Sequence, residues 1–149
     1  MSERLVEFIP IVPNPHPLHY ATKLSSGIDL RAWFKNPHGS VTLYPNSIIV
    51  IDTGYKCKLH PDYELQIRSR GGLAMNHGVI VLNTPGTVDA DYDGPLKVIL
   101  FNVTSAPFMI MQGDRIAQAV ICPVAREETY MEAEMKERGT GGFGSTGIK

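Results

Sequence analysis

Two cysteines, one tryptophan and no long apolar run set the first limits on this chain of 149 residues. Cys57 and Cys122 lie far apart, with no C-x-x-C pair, which argues against a disulfide framework or a thiolate metal site. Reduced thiols buried in strand-like segments are the expectation. No apolar stretch approaches a membrane span, and the opening Met1-Ser2-Glu3-Arg4 lacks a signal-peptide pattern. No membrane partner and a cytoplasmic location are expected. Charge of one sign is missing as well: 14 basic residues face 15 acidic ones. Without a basic surplus, no nucleic-acid partner is expected. The five histidines (16, 19, 38, 60, 77) show no zinc-ligand spacing and mostly flank proline or glycine, which predicts surface positions.

Helix-forming sequence is scarce too. Only residues 126–138 have helix-compatible composition, and the same stretch suits an exposed strand. What remains is rich in Ile, Val, Leu, Tyr and Phe, with candidate strands at 6–12, 47–59, 63–69, 79–82, 96–103 and 116–124. Turn signals such as Asn36-Pro37-His38-Gly39 and Tyr92-Asp93-Gly94-Pro95 separate them, and most of the eleven prolines fall between strands. Many short strands at this spacing predict an all-β fold, a jelly-roll-like antiparallel β-barrel in one domain.

The chain closes on Arg138-Gly139-Thr140-Gly141-Gly142-Phe143-Gly144-Ser145-Thr146-Gly147. Half of this run is glycine, so neither a helix nor a packed strand suits it. It nonetheless carries an arginine, an aromatic and three hydroxyls, the chemistry of a flap over a nucleotide polyphosphate. A disordered tail is the competing reading, and the stronger one for the tail taken alone. The chain thus divides into a β-domain, residues 1–137, and a mobile C-terminal arm, residues 138–149. An arm with little apolar content packs poorly on its own domain but can reach a neighbour in a symmetric oligomer.

Four further segments accompany the arm: Ser26-Gly27-Ile28-Asp29-Leu30-Arg31-Ala32; Arg68-Ser69-Arg70-Gly71-Gly72-Leu73-Ala74; Leu82-Asn83-Thr84-Pro85-Gly86-Thr87-Val88-Asp89-Ala90-Asp91-Tyr92; and Gly113-Asp114-Arg115-Ile116-Ala117-Gln118. In order and spacing, from near residue 20 to the end, the five together resemble the trimeric dUTPases, enzymes that hydrolyse deoxyuridine triphosphate. The resemblance implies Mg2+-assisted cleavage of dUTP to dUMP and pyrophosphate by a homotrimer with shared active sites. It also implies the cellular logic of keeping uracil out of DNA and supplying dUMP for thymidylate.

Residue by residue, the resemblance gives Asn83 and the Thr87–Val88 backbone the reading of uracil, with Lys97 bordering the pocket. Asp89 becomes the general base that activates water for attack on the α-phosphorus; a solvated turn carboxylate is the plainer reading. Asp89 and Asp91 alternate, so on extended backbone they point to one side. Tyr92 takes the place of the ring beneath the deoxyribose. Arg70, Gly71 and Gly72 fall on the phosphate loop, where Gly71 replaces the family's serine. Loss of a hydroxyl bond to a charged oxygen costs roughly 1.5–3 kcal/mol, so a working but slower enzyme is expected. Ser69 does not obviously substitute.

Asp29 is assigned to waters around Mg2+, against the alternative of a strand-start carboxylate satisfied by backbone donors. Gln118 is assigned to the α-phosphate; Arg115, which on a strand could point to the opposite face, is assigned to tying subunits or motifs together, and suits an ion pair with Asp114 or another carboxylate equally well. Phe143 is assigned to stacking on uracil, and Arg138, Gly144, Ser145 and Thr146 to the γ-phosphate. Two rivals stand beside this reading. One is a dCTP deaminase on the same fold, whose glutamate and phosphate-loop pattern are not found. The other is a nucleotide-binding protein that has lost its chemistry, to which only Gly71 points.

Overall fold

A computed structural model describes residues 4–126 and 139–147. The described chain holds eleven strands and one short helix. β1 (Val6–Pro10) pairs with β5 (Tyr55–Leu59), and β3 (Ser40–Leu43) with β10 (Phe108–Met111). A four-stranded sheet runs β2 (Ile28–Arg31), β11 (Arg115–Pro123), β6 (Tyr63–Arg68), β8 (Gly86–Val88). A three-stranded sheet runs β4 (Ile48–Asp52), β9 (Lys97–Asn102), β7 (Val79–Val81). Every pairing between these strands is antiparallel, as the alternation predicts. The strands lie in four separate sheets rather than one closed barrel, so the expected barrel is corrected to an open jelly-roll-like arrangement.

Burial follows the two-residue period of a strand with one face on the core. Along β9, Val98, Leu100 and Asn102 are buried while their neighbours are less so. Leu30, Leu43, Leu65, Leu100 and Ile110 are the largest wholly enclosed apolar side chains. Two buried polar residues are fully bonded, as burial without water requires. Thr53 donates to the Leu96 carbonyl at 2.8 Å. Asn102 donates to the Leu43 and Ala106 carbonyls and accepts from Thr104.

Several expectations are corrected in detail. The segment 47–59 is two strands, because Gly54 turns the chain at φ +79°. β2, β3, β8 and β10, three or four residues each, are too short for periodicity to reveal. The segment Gly71–His77 is a helix, α1, where no helix was expected; Gly78 ends it in the left-handed conformation, its N–H bonding the Leu73 and Ala74 carbonyls. The helix-compatible stretch 126–138 lies, from residue 127 on, outside the described residues. Cys57 is buried as expected, whereas Cys122 is only half-buried. His16 and His60 are half-buried rather than surface residues; the His16 ring lies against Gly113, where a Cβ would come within 2.8 Å.

Candidate active site

β8 is an edge strand of the four-stranded sheet, so among the described residues no neighbouring strand uses the backbone groups on its outer side. Beside it opens a cavity of about 200 Å³ lined by Asn83, Gly86, Thr87, Val88, Tyr92 and Lys97, with Phe143 and Gly142 of the arm. That is smaller than the ~300–1,000 Å³ of a typical whole-ligand site, so it suits one part of a nucleotide. A Cβ at Gly86 would come within 3.0 Å of the Asn83 amide nitrogen, so the glycine lets that amide sit close. The Tyr92 hydroxyl donates to the Pro95 carbonyl at 2.9 Å, fixing its ring over Gly94, where a Cβ would collide with it.

Asp89 follows Val88 directly and is half-exposed, bordering this cavity without lining it. Asp89 and Asp91 do not share a side of extended backbone. A turn closes between them, with the Tyr92 N–H on the Asp89 carbonyl at 3.1 Å.

A second cavity, about 340 Å³, is lined by Ser25, Ser26, Gly27, Asp29, Arg70, Gly71, Gly72 and Gln118. Arg70, just before α1, bonds Asp29 Oδ1 through Nε at 2.9 Å, and Arg115 Nη1 lies 3.5 Å from Asp29 Oδ2. One carboxylate, 14% exposed, thus orients two guanidinium groups, and the cluster keeps a net positive charge suited to an oxyanion. On a regular strand Arg115 and Gln118 could point to opposite faces. A bulge between Arg115 and Ala117 shifts the register, so Arg115 faces Arg31 while Gln118 faces Asp29. Arg31 and Asp29 are two apart on β2, so the two β11 side chains share a side. Arg115 is therefore the ion-pair partner of Asp29, while Asp114 instead accepts the Met111 N–H at 2.8 Å.

Gln118 donates to the Ser69 carbonyl at 3.0 Å. Gly27 lets it lie there, since a Cβ at 27 would collide with the Gln118 side-chain oxygen. A Cβ at Gly71 or Gly72 would meet nothing within 4 Å. Sequence reasoning undervalued Arg115 and Ser26, and no local pattern signals either one.

The arm lies against its own chain's hairpin. Gly139 bridges to Tyr92, and its carbonyl accepts the Asp93 N–H at 2.5 Å. Phe143, with φ +49°, lines the first cavity and stays 62% exposed. Gly144, Ser145 and Thr146 are exposed and line neither cavity; Arg138 lies outside the described residues. The two cavities have no lining residue in common. The first lies beside β8 at one edge of the four-stranded sheet, while the second draws Asp29 from β2 at the other edge and Gln118 from β11.

Fold and cavities together define an antiparallel β-protein with a small, largely apolar cavity at one sheet edge and an arginine-lined cradle at the other. The dUTPase family model matches residues 14–147, and the chain belongs to that family. The deoxyuridine 5'-triphosphate nucleotidohydrolase of Treponema pallidum subsp. pallidum is 47% identical over 131 residues, 87% of this chain and 88% of that one. Its counterpart in Helicobacter pylori is 46% identical over 141 residues, 93% of each chain. Among solved structures, a mutant dUTPase from phage phi11 of S. aureus superposes with a TM-score of 0.75 at 21% identity, covering 89% of this chain and 99% of that one. That structure concerns the coordination of a structural Mg(II) ion. The EIAV dUTPase superposes with a TM-score of 0.67 at 16% identity, covering 87% and 99%. Likeness at such identities speaks for the fold; the family rests on the sequence match.

Proposed function

We propose that this protein hydrolyses dUTP to dUMP and pyrophosphate. The observation that carries the reading is the first cavity: its lining draws on Asn83, Thr87, Val88, Tyr92 and Phe143, all from two of the five family-like segments. In this reading uracil enters beside β8, where backbone groups and the Asn83 amide read its edge. Tyr92 lies under the sugar and Phe143 covers the base. Asp89 takes the proton of a water as its oxygen attacks the α-phosphorus. The bond from that phosphorus to the bridging oxygen breaks, and pyrophosphate leaves. Arg70, Gly71, Gly72 and Gln118 hold the phosphates in line. Arg138, Gly144, Ser145 and Thr146 are assigned to the γ-phosphate once the arm closes, which requires those exposed residues to move.

Mg2+ fits this site only through water and substrate. Asp29 already carries two guanidinium groups, and no cluster of three His, Cys, Asp or Glu residues occurs among the described residues. A carboxylate has about four lone-pair positions, so Asp29 can still accept from waters of an ion held chiefly by phosphates. When bound, the ion neutralises charge on the triphosphate.

A homotrimer with shared sites is part of the same proposal. Ile48, Val50, Ile80, Leu82, Ile99 and Phe101 share one side of the β4–β9–β7 sheet, with Ile48, Val50 and Leu82 43–59% exposed. An apolar face of this kind marks an interface. Ile99 also lines the first cavity, so a copy docked on this face would lie beside the base pocket. The phosphate cradle of one copy would then serve the hairpin of another.

Pyrophosphate release from dUTP, dTTP, dCTP and UTP with Mg2+ tests the reaction. Turnover of dUTP alone, reduced about 10²–10⁴-fold in Asp89→Asn, is expected. Tight dUTP binding without turnover would replace the enzyme by a nucleotide-binding protein, and ammonia from dCTP by a deaminase.

A further inference from the structure

Three serines stand near the phosphate cradle, and two have their side-chain oxygens pinned by backbone N–H groups. Ser69 Oγ accepts the Val81 N–H at 2.9 Å, which ties it to the start of the hairpin segment. Ser25 Oγ accepts the Thr22 N–H at 3.0 Å and lies 2.9 Å from the Thr22 hydroxyl. The Ser26 hydroxyl has no hydrogen-bond partner among the described residues, is exposed, and lines the cavity shared with Asp29, Arg70, Gly71, Gly72 and Gln118. The same cavity has open space where a side chain at Gly71 would stand. A triphosphate there meets the Arg70 guanidinium, the Gln118 amide and the Ser26 hydroxyl, which comes from the turn before β2 rather than from position 71.

We infer that Ser26 is a phosphate-binding residue of this protein. Its hydroxyl donates to a non-bridging oxygen of the bound triphosphate and takes over the role that a serine at position 71 plays in the family. The inference rests on the dUTPase reading above. It gives a physical reason for Gly71: with the hydroxyl supplied from the other wall, position 71 has no side-chain task.

The test is a double-mutant cycle on the full chain, with kinetics on dUTP and binding of a non-hydrolysable α,β-imido analogue and of dUMP. Ser26→Ala should lower kcat/KM about 10–100-fold. It should weaken the imido triphosphate by a similar factor and dUMP by less than about twofold, because dUMP lacks the β- and γ-phosphates. Gly71→Ser, for which the structure has room, should restore at least about tenfold of the loss in the Ser26→Ala protein. Parent-like kinetics in Ser26→Ala would overturn the inference. So would equal weakening of dUMP and triphosphate, which marks a structural effect, or strict additivity with Gly71→Ser. A parent enzyme that releases no pyrophosphate from dUTP would remove the dUTPase reading itself, and this inference with it.

Discussion

At the scale of single residues, the cradle depends on a few close approaches. Gly27 is the sharpest. A methyl there would collide with the end of the Gln118 side chain, a flexible group that can swing away at little cost to folding. It cannot swing away and keep its bond to the Ser69 carbonyl. Gly27→Ala should therefore leave the melting temperature within a few degrees of the parent while lowering kcat/KM for dUTP about tenfold or more. Unchanged kinetics would show that Gln118 has no part in holding phosphate. Asp29, Arg70 and Gln118 were legible in the sequence because their segments carry family motifs. The company Asp29 keeps was not legible: Arg70 comes from 41 residues away, and Arg115 arrives only because a bulge turns it.

At the scale of elements, alternation located the longer strands and the short β7 but missed β2, β3, β8 and β10. α1 was missed because two glycines open it and it buries no residue, leaving no apolar period to read. β5 carries a consequence of its burial. Enclosure pushes the Cys57 thiol up from 9.0 to about 11, so the folded protein keeps a proton that the unfolded chain releases from about pH 9. That stabilisation is complete below pH 9 and disappears as pH rises through 11, about 2–3 kcal/mol in all. Tyr55, also raised by burial, acts in the same direction above pH 10. Urea unfolding of Cys57→Ala should show a shallower decline in stability between pH 9 and 11, on a lower baseline at pH 7 because of the cavity left behind. An equally steep decline in the variant would assign the alkaline loss to other groups.

At the scale of the whole molecule, the decisive fact is separation. The base cavity and the phosphate cradle have no wall in common within one chain, and an apolar sheet face adjoins the base cavity. The trimer proposed above makes the mass by light scattering at micromolar concentration about three times the 16.4 kDa of the chain. Val50→Glu, on the β4 edge of that face and 51% exposed, should drop the mass towards a single chain and take dUTP turnover with it. A parent protein that runs as a monomer at full activity would end the shared-site proposal.

The sequence by itself determined the all-β class, the family, and the short list of residues that carry the chemistry. Strand alternation and glycine-bearing motifs are local, and they survive without any knowledge of what packs on what. Only the tertiary structure decided that two guanidinium groups close on Asp29, that Gln118 and Arg115 share a side, and that Ser26, alone of three neighbouring serines, has its side-chain oxygen unbonded among the described residues. Those outcomes depend on register, bulges and contacts between segments far apart in the chain, which no local period encodes.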